Sequence, residues 1–210
     1  MSDILSLLIS FPISFGLLLL AVSAHEFAHG WVAYKRGDNT AKYAGRLTLN
    51  PLAHIDIFWT LILPLSLFII SRGAYVFGAA KPVPINYQAL KNPKRDIIWI
   101  GLSGPLANFL FAIIASILFK FIPEQSILSL LARYLVYINV LLGLFNLIPV
   151  PPLDGSRILM GLLPQKLSAI YASIEPFGFI IIMLFMGTMF RFFIGPLMQA
   201  VLNILGVPFQ

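Results

Sequence analysis

The chain has 210 residues with three histidines and eight acidic side chains, and two of those histidines flank a glutamate in His25-Glu26-Phe27-Ala28-His29. On a helix, positions i and i+4 share one face, so both imidazoles can reach a single tetrahedral Zn²⁺. Glu26, about 100° further round, can act on water at the same place. A shuffled chain of this composition yields the H-E-x-x-H pattern with a probability of about one in a thousand, so chance explains it poorly. The competing structural reading is a polar helix end at a membrane interface, with Glu26 paired to Lys35 or Arg36. A catalytic zinc needs three protein ligands and one open position. Cysteine is absent, so the third ligand is either His54, the remaining histidine, or a carboxylate. Asp154 is a carboxylate in an unusual setting. In Asn146-Leu147-Ile148-Pro149-Val150-Pro151-Pro152-Leu153-Asp154-Gly155 three prolines stop a helix and hold the backbone extended. The competing role for Asp154 is to cap a following helix.

The elements that must position these groups are membrane spans. With 59% hydrophobic and 10% charged residues and a mean hydropathy of +0.92, the chain lies far from soluble domains, where about a quarter of residues are charged. Lipid must cover the apolar excess. The net charge of +6 does not point to nucleic acid, because the 14 Lys and Arg are scattered between apolar stretches as topology signals. Without cysteine there is no disulfide framework and no thiolate nucleophile. After Met1-Ser2-Asp3 the chain turns apolar with no basic region or cleavage site, and reads as a retained span.

Six apolar stretches stand out: residues 4–24, extended as helix to Tyr34, then 57–70, 97–119, 127–150, 168–190 and 194–207. Lys35, Arg36, Lys42 and Arg46 follow the first span and none precedes it, which puts that end in the cytoplasm and the N-terminus outside. The loop after residue 70 is also basic, so the short, Pro64-containing stretch 57–70 is expected to be a re-entrant hairpin rather than a crossing. Asp154 then emerges on the same side as His25 and His29. Polar and apolar residues alternate over Arg46, Leu47, Thr48 and Leu49, which predicts a short membrane-associated β segment able to pair with an unwound substrate. Asn108, among small neighbours, reads as a helix-packing residue, and Arg133 as a charge that snorkels to lipid headgroups. The expected fold is an all-α polytopic transmembrane bundle forming a single domain over 1–210, with a core at about 4–157 and C-terminal helices at about 168–207.

Taken together, these motifs resemble the site-2 proteases, the intramembrane zinc metalloproteases, in their short form without a PDZ or CBS domain. The resemblance rests on His25 to Gly30, Gly45 to Asp56, Ala80-Lys81-Pro82-Val83-Pro84, Ser103 to Asn108 and Asn146 to Gly155. It implies a three-helix catalytic core made of the first, third and fourth long spans. It also implies one zinc per chain held by His25, His29 and Asp154, with Glu26 as the catalytic glutamate. His54 and Asn146, by their positions in the motifs, are candidates to stabilise the oxyanion. Compared with six-span members, a span before the motif helix is missing. The implied activity is hydrolysis of peptide bonds in or near transmembrane segments of membrane-anchored proteins, in regulated intramembrane proteolysis. The implied location is the inner membrane of a prokaryote, with the site toward the cytoplasm. Neither substrate identity nor oligomeric state is legible. The rival readings are a polytopic metal transporter, which would need polar groups through several spans, and a non-catalytic membrane scaffold, which would tolerate loss of Glu26.

Overall fold

The computed structural model describes residues 12–71, 78 and 80–208, together with the helical backbone of residues 2–11. Its long elements are α1 (Ser2–Lys35), then the short α2 (Thr40–Tyr43) and α3 (Leu63–Ile70), α4 (Pro93–Phe119) and α5 (Ile127–Asn146). They are followed by α6 (Asp154–Leu162), α7 (Gln165–Ala172), α8 (Gly178–Met189) and α9 (Gly195–Leu205). Four helical stretches are long and apolar enough to cross a bilayer: Pro12–Lys35, Pro93–Phe119, Ile127–Asn146 and Gln165–Leu205. The chain is thus an integral membrane protein whose described residues form helices and no strand.

Local chemistry sets where these helices begin. Pro93 opens α4, where its missing N–H is not needed, and Asp96 reaches back to accept from Asn92 N at 2.9 Å. The same carboxylate takes Arg36 Nη1 at 3.2 Å, tying the end of α1 to the start of α4. Ser126 caps α5 by accepting from Ser129 N.

Helices α1, α4 and α5 pack against one another, and α6 lies along α4. Toward one end, Ala112 and Ala115 of α4, Val136 and Val140 of α5, and Met198 and Leu202 of α9 form an apolar cluster. Toward the other, Ala33, Leu90 and Ile100 form a smaller one. The inner faces also bury Asn108 and Asn139 completely, while Leu106, Leu110, Ile113 and Ile117 of α4 and Phe179, Ile180 and Leu184 of α8 point outward. Large apolar groups outside and small or polar groups inside suit a solvent of hydrocarbon, where close approach and internal hydrogen bonds hold helices together.

Two expectations about local structure are corrected. No strand forms among the described residues, and 46–49 in particular is not one. Gly45 turns the chain at φ +66°, and Arg46 is buried. Thr48 Oγ1 then accepts from Asn50 N at 3.1 Å, and Thr48 O accepts from His54 Nε2 at 2.9 Å. Local side-chain bonds therefore curl the segment instead of extending it. Nor is 57–70 a hairpin: a π-helical turn, Ile57–Ile62, started by the Asp56 cap, runs straight into α3. The wider turn precedes Pro64, whose ring would collide with the carbonyl four residues back in a regular α-helix. The same device joins α8 to α9, where Phe190–Ile194 is π-helical just before Pro196. The apolar stretches 168–190 and 194–207 therefore belong to one helical run.

Candidate metal centre

His25 and His29 lie one turn apart near the end of α1, 6% and 7% exposed. Asp154 opens α6 after the proline-rich exit from α5. Their donor atoms converge: Nε2 of His25 and of His29 are 3.0 Å apart, and Asp154 Oδ2 lies 3.0 Å from the first and 3.2 Å from the second. Among the described residues these three make the one group of histidine and carboxylate atoms close enough to share an ion.

The tautomers decide what this triangle can hold. His25 Nδ1 lies 2.6 Å from Asn108 Oδ1, and His29 Nδ1 lies 2.7 Å from Ile100 O. The Asn108 amide cannot be turned round, because its Nδ2 donates to Asn139 Oδ1 at 2.9 Å and to Ala21 O at 3.2 Å. Both rings therefore donate through Nδ1, and both Nε2 lone pairs face inward. They meet Asp154 Oδ2, a buried atom that accepts no hydrogen bond from the described residues. Three acceptors at this separation repel unless a cation or proton sits among them. A tetrahedral ion with bonds of about 2.0–2.1 Å keeps its donors about 3.3 Å apart, close to what is seen. The donor set, two imidazoles and one carboxylate, suits zinc. Burial opposes ionisation of Asp154, but the facing His29 and then His25 outweigh it and bring the carboxyl down to about 2.

Helix α4 supplies no ligand yet shapes the site. A Cβ on Gly104 would lie 2.6 Å from His25 Nε2 and closer still to His29 Nε2. One on Gly101 would lie 3.0 Å from Asp154 O. Ser103 Oγ donates to Ile100 O at 2.7 Å, beside His29 Nδ1. Asn108, read from the sequence as packing, is instead the fixed acceptor that orients His25. The usable signal was the cost of an amide inside a span, which demands a partner. The Asp154 loop is held from the C-terminal side, where Tyr171 Oη donates to Pro149 O at 2.6 Å and Arg157 pairs with Glu175 through both guanidinium nitrogens.

The remaining sequence candidates fall as follows. Glu26 Oε2 accepts from Val83 N at 2.7 Å. His54 is 1% exposed and does not join the donor triangle; its Nε2 is spent on Thr48 O and its Nδ1 has no partner among the described residues. Asn146 Nδ2 donates to Leu142 O in its own helix at 3.0 Å, which uses one of its two amide hydrogens. Arg46 is 8% exposed and donates to Lys81 O at 2.5 Å and Pro82 O at 3.3 Å. Leu49 is exposed, while Leu47 and Thr48 are partly covered.

Comparison with known proteins gives one family. The model of peptidase family M50 matches residues 13–133 and 122–189. A Bacillus subtilis protein named "Putative zinc metalloprotease YwhC" is 35% identical over 87% of this chain and 84% of its own length. The Mycolicibacterium smegmatis protein named "Putative zinc metalloprotease Rip2" is 28% identical over 81% of this chain and 64% of its own. A zinc metalloprotease of Methanocaldococcus jannaschii is 30% identical over 75% of this chain and 36% of its own. No solved structure gave a significant match.

Proposed function

Because this chain belongs to peptidase family M50 and is a membrane zinc metalloprotease, we propose that it hydrolyses peptide bonds in or near the transmembrane segments of membrane-anchored proteins, as in regulated intramembrane proteolysis. The observation that carries this reading is the convergence of His25 Nε2, His29 Nε2 and Asp154 Oδ2, with both Nδ1 atoms already committed as donors. We assign the three as ligands of one zinc per chain and Glu26 as the general base. Zinc held there supplies Lewis acidity, polarising a carbonyl and acidifying water. Glu26 takes a proton from the attacking water as its oxygen bonds to the carbonyl carbon. It returns that proton to the amide nitrogen as the C–N bond breaks. Asn108 and Ile100 O keep the imidazoles in the tautomer that leaves Nε2 free. Asn146, with one amide hydrogen to spare, is our candidate donor to the developing oxyanion; His54, with its N–H engaged, is a supporting residue of the loop.

We place the protein, as a single domain, in the cytoplasmic membrane of a prokaryote. The site lies toward the cytoplasm and the N-terminus outside, because the basic residues cluster after α1. The test is Glu26→Gln on purified protein in bilayers with a membrane-anchored reporter. The variant should keep its zinc and its fold and lose cleavage; cleavage at the wild-type rate would overturn the reading.

A further inference from the structure

From Ala80 an extended strap crosses the end of α1, and its polar contacts run from the His54 loop to Glu26. Lys81 N donates to His54 O at 2.9 Å. Arg46 Nη2 donates to the carbonyl oxygens of Lys81 and Pro82. Val83 N donates to Glu26 Oε2 at 2.7 Å. Val83 is 6% exposed, and its Cγ1 would lie 3.1 Å from a Cβ at Gly30, one turn beyond Glu26 on the same helix. Pro82 and Pro84 bracket it, so the backbone of Lys81 and of Val83 is confined to extended conformations and Val83 offers the only N–H between the two prolines.

Arg46 is the one basic side chain in this set of anchors, and it is buried. A buried guanidinium with two backbone oxygens and, among the described residues, no carboxylate is a costly arrangement, which a merely solvating surface charge would not need. Its Nη2 reaches two consecutive carbonyl oxygens, and the second, Pro82 O, shares one peptide plane with the nitrogen of Val83. That plane carries the Val83 N–H.

We propose that Arg46 is a positioning residue for proteolysis: by gripping Lys81 O and Pro82 O it aims the Val83 N–H at Glu26 and so fixes the orientation of the carboxylate that moves the proton. One oxygen of Glu26 is pinned and the other is left for transfer. This replaces the expected role of Arg46 in pairing with a substrate strand, and it rests on the assignment of Glu26 as general base.

The amide of Val83 can be read directly. Carbonyl-¹³C proline combined with ¹⁵N valine marks only the two Pro-Val junctions, Pro82-Val83 and Pro149-Val150. Val150 N donates to Ile148 O at 2.8 Å, away from Arg46, and serves as the internal reference. In the zinc-loaded full chain, Arg46→Met is expected to speed Val83 amide exchange about tenfold to a hundredfold, the scale of a hydrogen bond to a charged group, and to leave Val150 unchanged. The same variant should lower kcat by about tenfold or more while KM and zinc content stay within twofold of wild type. Arg46→Lys, a point charge without the fork, should fall between. Should Arg46→Met fail to fold, Gly30→Ala lifts Val83 from α1 and is expected to show the same two changes. A loss of kcat with the Val83 amide unmoved, or a freed amide with kcat unmoved, overturns the positioning role. Cleavage surviving in Glu26→Gln overturns the general-base assignment instead, so the two failures are told apart.

Discussion

Replacing Gly104 with alanine tests the metal centre through a residue that is not a ligand. The added Cβ would sit 2.6 Å from both Nε2 and Cε1 of His25, where ordinary contacts begin at 3.4 Å, so that ring must retreat by about 0.8 Å. It has nowhere easy to go: Nδ1 is held by Asn108, itself held by Asn139 and Ala21 O. Metal–ligand distances tolerate deviations of about 0.2 Å, so the displacement is several times what a zinc site absorbs. Crowding at one position costs about 1–3 kcal/mol of stability, which leaves the helical fold intact while the site fails. Zinc affinity should drop by about a hundredfold or more, and cleavage with it. The assay is zinc content by mass spectrometry across a chelator titration, with circular dichroism for the fold. Gly16→Ala, where nothing lies within 4 Å, is the control and should bind zinc as wild type does. Wild-type zinc affinity in Gly104→Ala would refute the reasoning, since the inward-facing Nε2 atoms could then not be the donors.

Two further outcomes follow from the same geometry. Asn108→Leu removes the acceptor for His25 Nδ1 and strands the Asn139 amide oxygen, so zinc affinity should fall about 10- to 100-fold and stability by about 1–3 kcal/mol, read by chelator competition and denaturant unfolding. Asp154 supplies the one anionic donor of the triangle, so removing its charge while keeping its shape should weaken the hold on a divalent ion. Asp154→Asn should accordingly lower zinc affinity by about 10- to 100-fold, as measured by zinc content across a chelator titration.

The facing of His25 and His29 was legible because they are four residues apart and need only helical geometry, and Asp154 stood out because prolines inside an apolar chain mark unwound backbone. What the sequence hid were meetings between distant segments. Nothing local to Asn108 announces His25, and nothing local to Gly104 announces two imidazoles above it. Alternation misled at Arg46 to Leu49, since Arg46 turns inward to bind carbonyls and Thr48 and His54 bond to nearby backbone, so the pattern comes from a folded turn. Charge distribution suggested a hairpin at 57–70, but the proline there is absorbed by a π-helical turn. The same substitution of a π turn for a break hid the continuity of α8 and α9.

Helix α4 offers the donor triangle no atom, yet α1 and α6 both rest on it, and a zinc held by the proposed ligands would join those two helices beside Gly101 and Gly104. Zinc occupancy is therefore a gauge of helix docking rather than of helix content. A detergent that loosens α6 from α4 will strip the metal while the circular dichroism of the chain stays fully helical, so a preparation can look intact by every measure of secondary structure and have no working centre.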